Sequence, residues 1–170
     1  MIEGFVRMGA THRKVSGFGF RDKTWGPRTW KATATGFPRA PGAPSTFIKW
    51  LAAPFGPDLA FSVILKVQPD GGHRGDGLIL IDGKNEIITD LVATSTYRAG
   101  SVMHETVRME GLVKGDCFRI DGKIINHIPT KIPMPDGAVM VTEGLVRWTL
   151  PNGRQTLGMA EYHVSVTKPA

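Results

Sequence analysis

The sequence predicts an all-β protein, an antiparallel β-barrel of about nine or ten strands. Runs with apolar and polar residues in alternation recur along the chain, and short turns rich in glycine, proline, aspartate and asparagine separate them. No stretch has the periodicity of a convincing amphipathic helix. Many hairpins joining long strands favour a closed barrel, because closure removes exposed strand edges. The chain has 170 residues, so we predict one domain over 1–170.

The first elements are two strands followed by a long loop. Ile2 to Met8 alternates apolar and polar residues and predicts a strand, and His12 to Phe20 predicts its return strand. The strand signal stops from Arg21 to Ser45, where glycine and proline cluster. A disordered linker is compatible with this composition, but Trp25, Trp30 and Phe37 favour a loop that packs against another part of the protein.

The middle of the chain predicts further hairpins. The segment from Thr46 to Phe55 is compatible with a short strand or with one helical turn, and Pro54 prevents a longer helix. Further predicted strands are Asp58–Gln68, Gly77–Ile81, Glu86–Tyr97 and Ser101–Val113, with turns at Pro69–Gly72, Asp82–Gly83 and Gly115–Asp116.

The last third predicts two short strands, a loop and a long hairpin. The short strands are Phe118–Ile120 and Ile124–Ile128, separated by an Asp121–Gly122 turn, and Pro129 to Gly137 is a proline-rich loop. Ala138–Leu150 and Gln155–Thr167 pair about Asn152–Gly153, a dipeptide typical of tight hairpin turns.

Composition and charge exclude several classes of function. The formal net charge is +6, but the basic residues are scattered singly, so no nucleic-acid partner is predicted. No apolar run approaches the roughly 20 residues of a membrane-spanning helix. The N-terminal residues contain no long apolar region, and Cys117 is the only cysteine. We therefore predict no signal peptide, no intrachain disulfide and a cytoplasmic location.

The stretch from Gly17 to Trp30 holds the strongest candidate for chemistry. A carboxyl group at Asp22, beside aromatic rings and partly out of water, would have a raised pKa and could donate a proton. The faces of Trp25 and Trp30 could stabilise a developing carbocation or line an apolar pocket. Alternatively, Asp22 pairs with Arg28 or its neighbour Arg21 and only braces the loop.

The remaining candidates concern binding. Trp50 is a candidate pocket wall, and the final hairpin contributes Glu143, Arg147 and Tyr162. The even spacing puts Glu143 and Arg147 on one face of a strand, either as an interior ion pair or as the floor of a polar pocket. The histidine spacing fits no metal motif and no nucleotide-binding loop is present, so no metal or cofactor is predicted.

The segment RDKTWGPRTW, residues 21–30, resembles the RDHSWGxRDW motif of lipocalin-like proteins grouped with carotenoid hydratases (hydroxyneurosporene synthase) and AttH-type proteins. The resemblance extends through FGPDLAFSVIL, the strand from Gly75 to Asp82, and TEGLVRWTLPNGRQTLGMAEYHV. It implies a lipocalin-like barrel. Asp22, Trp25, Gly26, Arg28 and Trp30 match the motif, whereas Lys23 and Thr29 replace its histidine and second aspartate.

The resemblance also implies an assembly and a ligand. Relatives with this motif pair two lipocalin-like halves, and this chain is similar to the second half, so we expect a homodimer that restores the pair. The ligand expected is a hydrophobic small molecule, terpenoid- or polyketide-like. The expected function is cofactor-independent cyclisation, isomerisation or hydration by acid catalysis at Asp22, with Trp25, Arg28, Trp30, Trp50, Glu143, Arg147 and Tyr162 binding the substrate. The alternative is a non-catalytic carrier of such a molecule.

Overall fold

The computed structural model describes residues 2–19, 45–67, 73–134 and 137–167, and these residues form ten β-strands. No helix in this part of the chain is long and apolar enough to cross a membrane. The strands are β1 (Ile2–Met8), β2 (Thr11–Gly17), β3 (Ser45–Pro54), β4 (Leu59–Val67), β5 (His73–Ile81), β6 (Lys84–Tyr97), β7 (His104–Val113), β8 (Asp116–Met134), β9 (Gly137–Thr149) and β10 (Gln155–Thr167).

Eight of these strands close into a barrel, which confirms the predicted all-β antiparallel architecture. Strands β3 to β10 each pair with their neighbours in sequence, and β10 closes the barrel by pairing with β3. This up-and-down order is compatible with a lipocalin-like barrel. The barrel has fewer strands than the nine or ten expected, because β1 and β2 form a separate two-stranded sheet.

Strand β8 differs most from the sequence-based prediction. The expected Asp121–Gly122 turn and the expected loop over Pro129–Gly137 are wrong, because one strand of 19 residues runs from Asp116 to Met134. Gly122 lies in this strand because the interior has no room for a larger side chain. Pro129 is tolerated because, among the described residues, β8 pairs with β7 only as far as Lys123, so the missing N–H of Pro129 breaks no hydrogen bond to β7.

Apolar side chains fill most of the barrel interior. Trp148 on β9 is fully buried and meets the ring of Phe61 edge-to-face, with ring centroids 5.2 Å apart. Glycines make room for this indole ring: a Cβ atom on Gly122 or Gly158 would come within 2.8 Å of it. An eight-stranded barrel is just wide enough for such a packed interior.

An ion pair ties together two turns at one end of the barrel. The guanidinium group of Arg154, after β9, donates hydrogen bonds of 2.5 and 2.7 Å to the carboxylate of Asp58, after β3. It donates a third, of 2.8 Å, to the Phe55 carbonyl. The hydrogen bonds from Arg154 lower the pKa of Asp58 to about 2. This end of the barrel is therefore held by charge-assisted bonds.

Replacing Gly122 by alanine should destabilise the barrel. The added Cβ would meet side-chain carbons of Trp148, Val107 and Val146, each at 2.8 Å. Overpacking of this kind costs roughly 1–3 kcal/mol, measurable by urea denaturation. Gly4→Ala on β1 is the matched control, because no atom of the described residues other than its chain neighbours lies within 4 Å of the new Cβ. Equal stability of the two variants would contradict the tight packing around Trp148.

Candidate functional site

Polar side chains face the barrel interior at the end where β3, β5, β7 and β9 begin. We call Lys49, Ser95, His104, His127 and Tyr162 the polar cluster; they come from β3, β6, β7, β8 and β10. Three of them, Lys49, His104 and Tyr162, are buried. The cluster therefore places ionisable groups inside a barrel that is otherwise packed with apolar residues.

Bulges in three strands turn members of the polar cluster inward. The β6–β7 register shifts between Thr89 and Val92 and again at His104, and the β8–β9 register shifts between Ile124 and Asn126. Each extra residue reverses the face on which the side chains lie from one side of the bulge to the other. As a result Ser95, His104 and His127 face the interior rather than solvent.

His104 is a neutral imidazole in the centre of the polar cluster. It is 0% exposed and stacks on the Tyr162 ring, with centroids 3.7 Å apart and planes 7° apart. Burial lowers the pKa of His104 to about 3, with smaller contributions from His127 and from the charge of Lys49. The Ala160 carbonyl acts weakly in the opposite direction. His104 is thus uncharged at neutral pH.

Tyr162 is also neutral and is fixed by one hydrogen bond. Its hydroxyl lies 2.5 Å from the Ser95 hydroxyl, and either group can donate. Burial raises the pKa of Tyr162 well above its ordinary value. Its ring packs against Tyr97 on β6 as well, with centroids 6.4 Å apart. Tyr162 therefore holds β6, β7 and β10 together at this end of the interior.

Lys49 contributes an ammonium group to the polar cluster. Its side chain is buried and donates a 2.9 Å hydrogen bond to the Ala93 carbonyl. The ammonium group lies 5.4 Å from the centre of the Tyr162 ring. Burial lowers the pKa of Lys49 to about 8, so most molecules carry the charge at neutral pH.

His127 is only partly buried and its tautomer follows from one contact. Its Nε2 atom lies 2.7 Å from the His104 carbonyl oxygen, which can only accept, so Nε2 carries a proton. In the neutral ring, Nδ1 then offers a lone pair. This ring meets that of His104 edge-to-face at 4.8 Å.

Several buried polar atoms in and beside the polar cluster have no hydrogen-bond partner among the described residues. They are Nδ1 of His127, the hydroxyl of Thr142, which pairs with Tyr162 across β9 and β10, and both ring nitrogens of His104, although the nearby Ala160 carbonyl still acts on that ring. Leaving such a group unpaired costs roughly 1–3 kcal/mol. The end of the barrel thus offers donors and acceptors to a bound molecule.

The structure puts the sequence candidates in different environments. Tyr162 is in the polar cluster. Trp50 lies on the outer face of β3, where its Nε1 atom donates a 3.1 Å hydrogen bond to the Ser62 hydroxyl. Glu143 and Arg147 share one face of β9 as expected, but that face is the outer, exposed one. Asp22, Trp25, Arg28 and Trp30 lie outside the described residues.

Sequence reasoning missed Lys49, Ser95, His104 and His127. A signal was present for Lys49, because it alternates with Leu51 and Ala53 on the apolar face of a strand. No comparable signal marked His104 or His127, since their inward orientation depends on bulges. Among the described residues, no group of three His, Cys, Asp or Glu side chains is arranged to hold a metal ion.

One comparison with known proteins gives a match. The family model described as a domain of unknown function (DUF7064) matches residues 1–166. No curated protein and no solved structure gives a significant match.

Burial of His104 should make stability depend on pH. Between pH 6.5 and about pH 3, the unfolded chain binds a proton at this residue and the folded chain does not. The free energy of unfolding therefore falls as pH falls through this window, by at most about 1.4 kcal/mol per pH unit. Urea denaturation should show a shallower dependence in His104→Phe, which keeps an aromatic ring against Tyr162.

The matched control is His12→Phe, on the exposed surface of β2, which should keep the pH dependence of the original protein. A His104→Phe variant with an unchanged pH dependence would show that His104 is not a neutral buried group.

Proposed function

We propose that this chain, which belongs to the DUF7064 family, binds one small lipophilic molecule at the polar end of its barrel. The observation that carries the proposal is a set of polar atoms of His104, His127 and Thr142 that have no hydrogen-bond partner among the described residues, inside an otherwise apolar interior. Apolar sites with a few convergent polar groups are typical of small-molecule binding.

The surroundings of the polar cluster support a ligand with a polar head and an apolar body. Tyr97 and Met140 pack against the apolar core and are only partly buried, as is the His127 ring. A polar head could approach Lys49 and His104 while the body lies against Tyr97 and Met140. Trp148 fills the interior farther along the barrel, so binding in this orientation leaves the packed region undisturbed.

Two forms of this function remain distinct proposals. In the first, the protein is a cofactor-independent enzyme that cyclises, isomerises or hydrates an unsaturated substrate with Asp22 as the acid. The resemblance of residues 21–30 to the carotenoid hydratase and AttH-type motif supports this form. In the second, the protein carries the molecule unchanged, and the polar cluster supplies binding alone.

Binding should be measurable with the neutral lipophilic fluorophore N-phenyl-1-naphthylamine. We expect saturable fluorescence enhancement at one site per chain, weakened by His127→Leu at the partly buried rim of the polar cluster. His12→Leu on exposed β2 is the matched control. Absence of saturable binding to a folded protein would overturn the proposed function.

A second experiment distinguishes the enzyme from the carrier. Molecules that co-purify with the protein can be extracted, identified by mass spectrometry and incubated with the original protein and with Asp22→Asn. Conversion by the original protein alone supports the enzyme.

We also propose that the protein forms a homodimer. Exposed apolar side chains support this: Phe5 on β1 is 75% exposed, and Ile2 and Met8 on the same strand are exposed as well. A two-stranded sheet is marginally stable on its own in water, so a covering partner would stabilise it.

Light scattering at micromolar concentration should give the mass of two chains. A sharp monomer peak would contradict this, whereas a shift to monomer in a Phe5→Ser variant would assign the contact to β1.

A further inference from the structure

The ammonium group of Lys49 is buried without a negatively charged partner in the described part of the chain. Lys49 is 3% exposed, and its hydrogen bond goes to a neutral carbonyl, that of Ala93. An ammonium group has three N–H donors, so this bond leaves two of them free for another acceptor. Buried charges in proteins are usually paired, because removing a lone charge from water is costly.

The described side chains around Lys49 do not supply the missing negative charge. Tyr162 from β10 has a raised pKa and is a neutral phenol, and His104 from β7 has a lowered pKa and is a neutral imidazole. Among the described residues, Tyr97 from β6 packs against the Tyr162 ring, and His127 from β8 packs against the His104 ring. Neither a tyrosine nor a histidine contributes a negative charge at neutral pH under ordinary conditions.

The remaining donors of the Lys49 ammonium group also indicate a partner that carries acceptor atoms. Within the described residues, two of the three N–H donors of Lys49 have no acceptor. A carboxylate offers about four lone-pair sites and a single negative charge, which matches the single charge of Lys49. An alcohol would leave the ammonium group uncompensated.

We propose that the molecule bound at this end of the barrel carries a carboxylate, which pairs with the ammonium group of Lys49. The inference rests on the proposed function and specifies its ligand as a lipophilic monocarboxylic acid. The carboxylate enters past the partly buried rings of Tyr97 and His127, and the apolar chain of the acid remains toward the end of the barrel.

Competition against N-phenyl-1-naphthylamine tests the proposal with dodecanoate and dodecanol, two probes of equal chain length. Dodecanoate should bind the original protein more tightly than dodecanol. Lys49→Met keeps the aliphatic stem and removes the charge, and it should weaken dodecanoate binding roughly 30-fold or more while leaving dodecanol binding within a few-fold. Lys49→Arg keeps the charge and should retain the preference for the acid. Lys123→Met, an exposed lysine on the outer face of β8, is the matched control and should bind both probes as the original protein does.

The outcomes separate this inference from the proposed function. Suppose that both probes displace the fluorophore equally well and that Lys49→Met loses no affinity for dodecanoate. This result would contradict the proposed carboxylate but would still support a lipophilic binding site. No fluorophore binding at all would overturn the proposed function itself. A folded Lys49→Met protein that loses affinity for both probes alike would also reject the charge pair, because only the acid should depend on the ammonium group.

Discussion

Closure of an eight-stranded barrel by the β10–β3 pair is the constraint on which the rest of the structure depends. A barrel of this size has an interior just wide enough for side chains, so each inward position must suit the residue across from it. Trp148 fits because Gly122 and Gly158 supply no side chain where the indole lies. This packing stabilises one part of the interior and leaves the other end for polar groups.

Burying the polar cluster lowers the stability of the fold, and this loss indicates a role for the cluster other than packing. Burial shifts the pKa of both Lys49 and His104 away from their ordinary values toward the neutral form. Apolar residues of similar volume would fill the same space without unpaired donors or acceptors. Sites that reduce stability in this way are often functional sites. Proteins most often depart from normal core packing and hydrogen bonding where binding of a ligand compensates for the lost stability.

The fold could be predicted to a large extent from alternation and turn chemistry. Alternation places the hairpin from Gln155 onward and the early strands correctly, and Asn152–Gly153 marks a real turn with Gly153 at a φ of 84°. Asp121–Gly122 has the same chemical character but lies within β8. There, Asp121 faces outward to Arg108 and Arg119, while glycine is required by the crowded interior. A turn dipeptide and a packing glycine look alike in sequence, and only the neighbours of the glycine distinguish them.

The candidate site could be predicted only in small part, and the bulges explain why. Strict alternation from Ile88 along β6 would place Ser95 on the outer face, yet the extra residue near Asp90, with a positive φ of 50°, brings it inward to Tyr162. A similar irregularity turns His104 inward on β7. Glu143 and Arg147 lie on β9, which has no such shift against β10, so their even spacing holds and both stay outside. A motif search finds residues by their spacing along one strand, whereas this cluster is built by register shifts between strands. The polar cluster therefore depends on deviations from the regular alternation that allowed the barrel to be predicted.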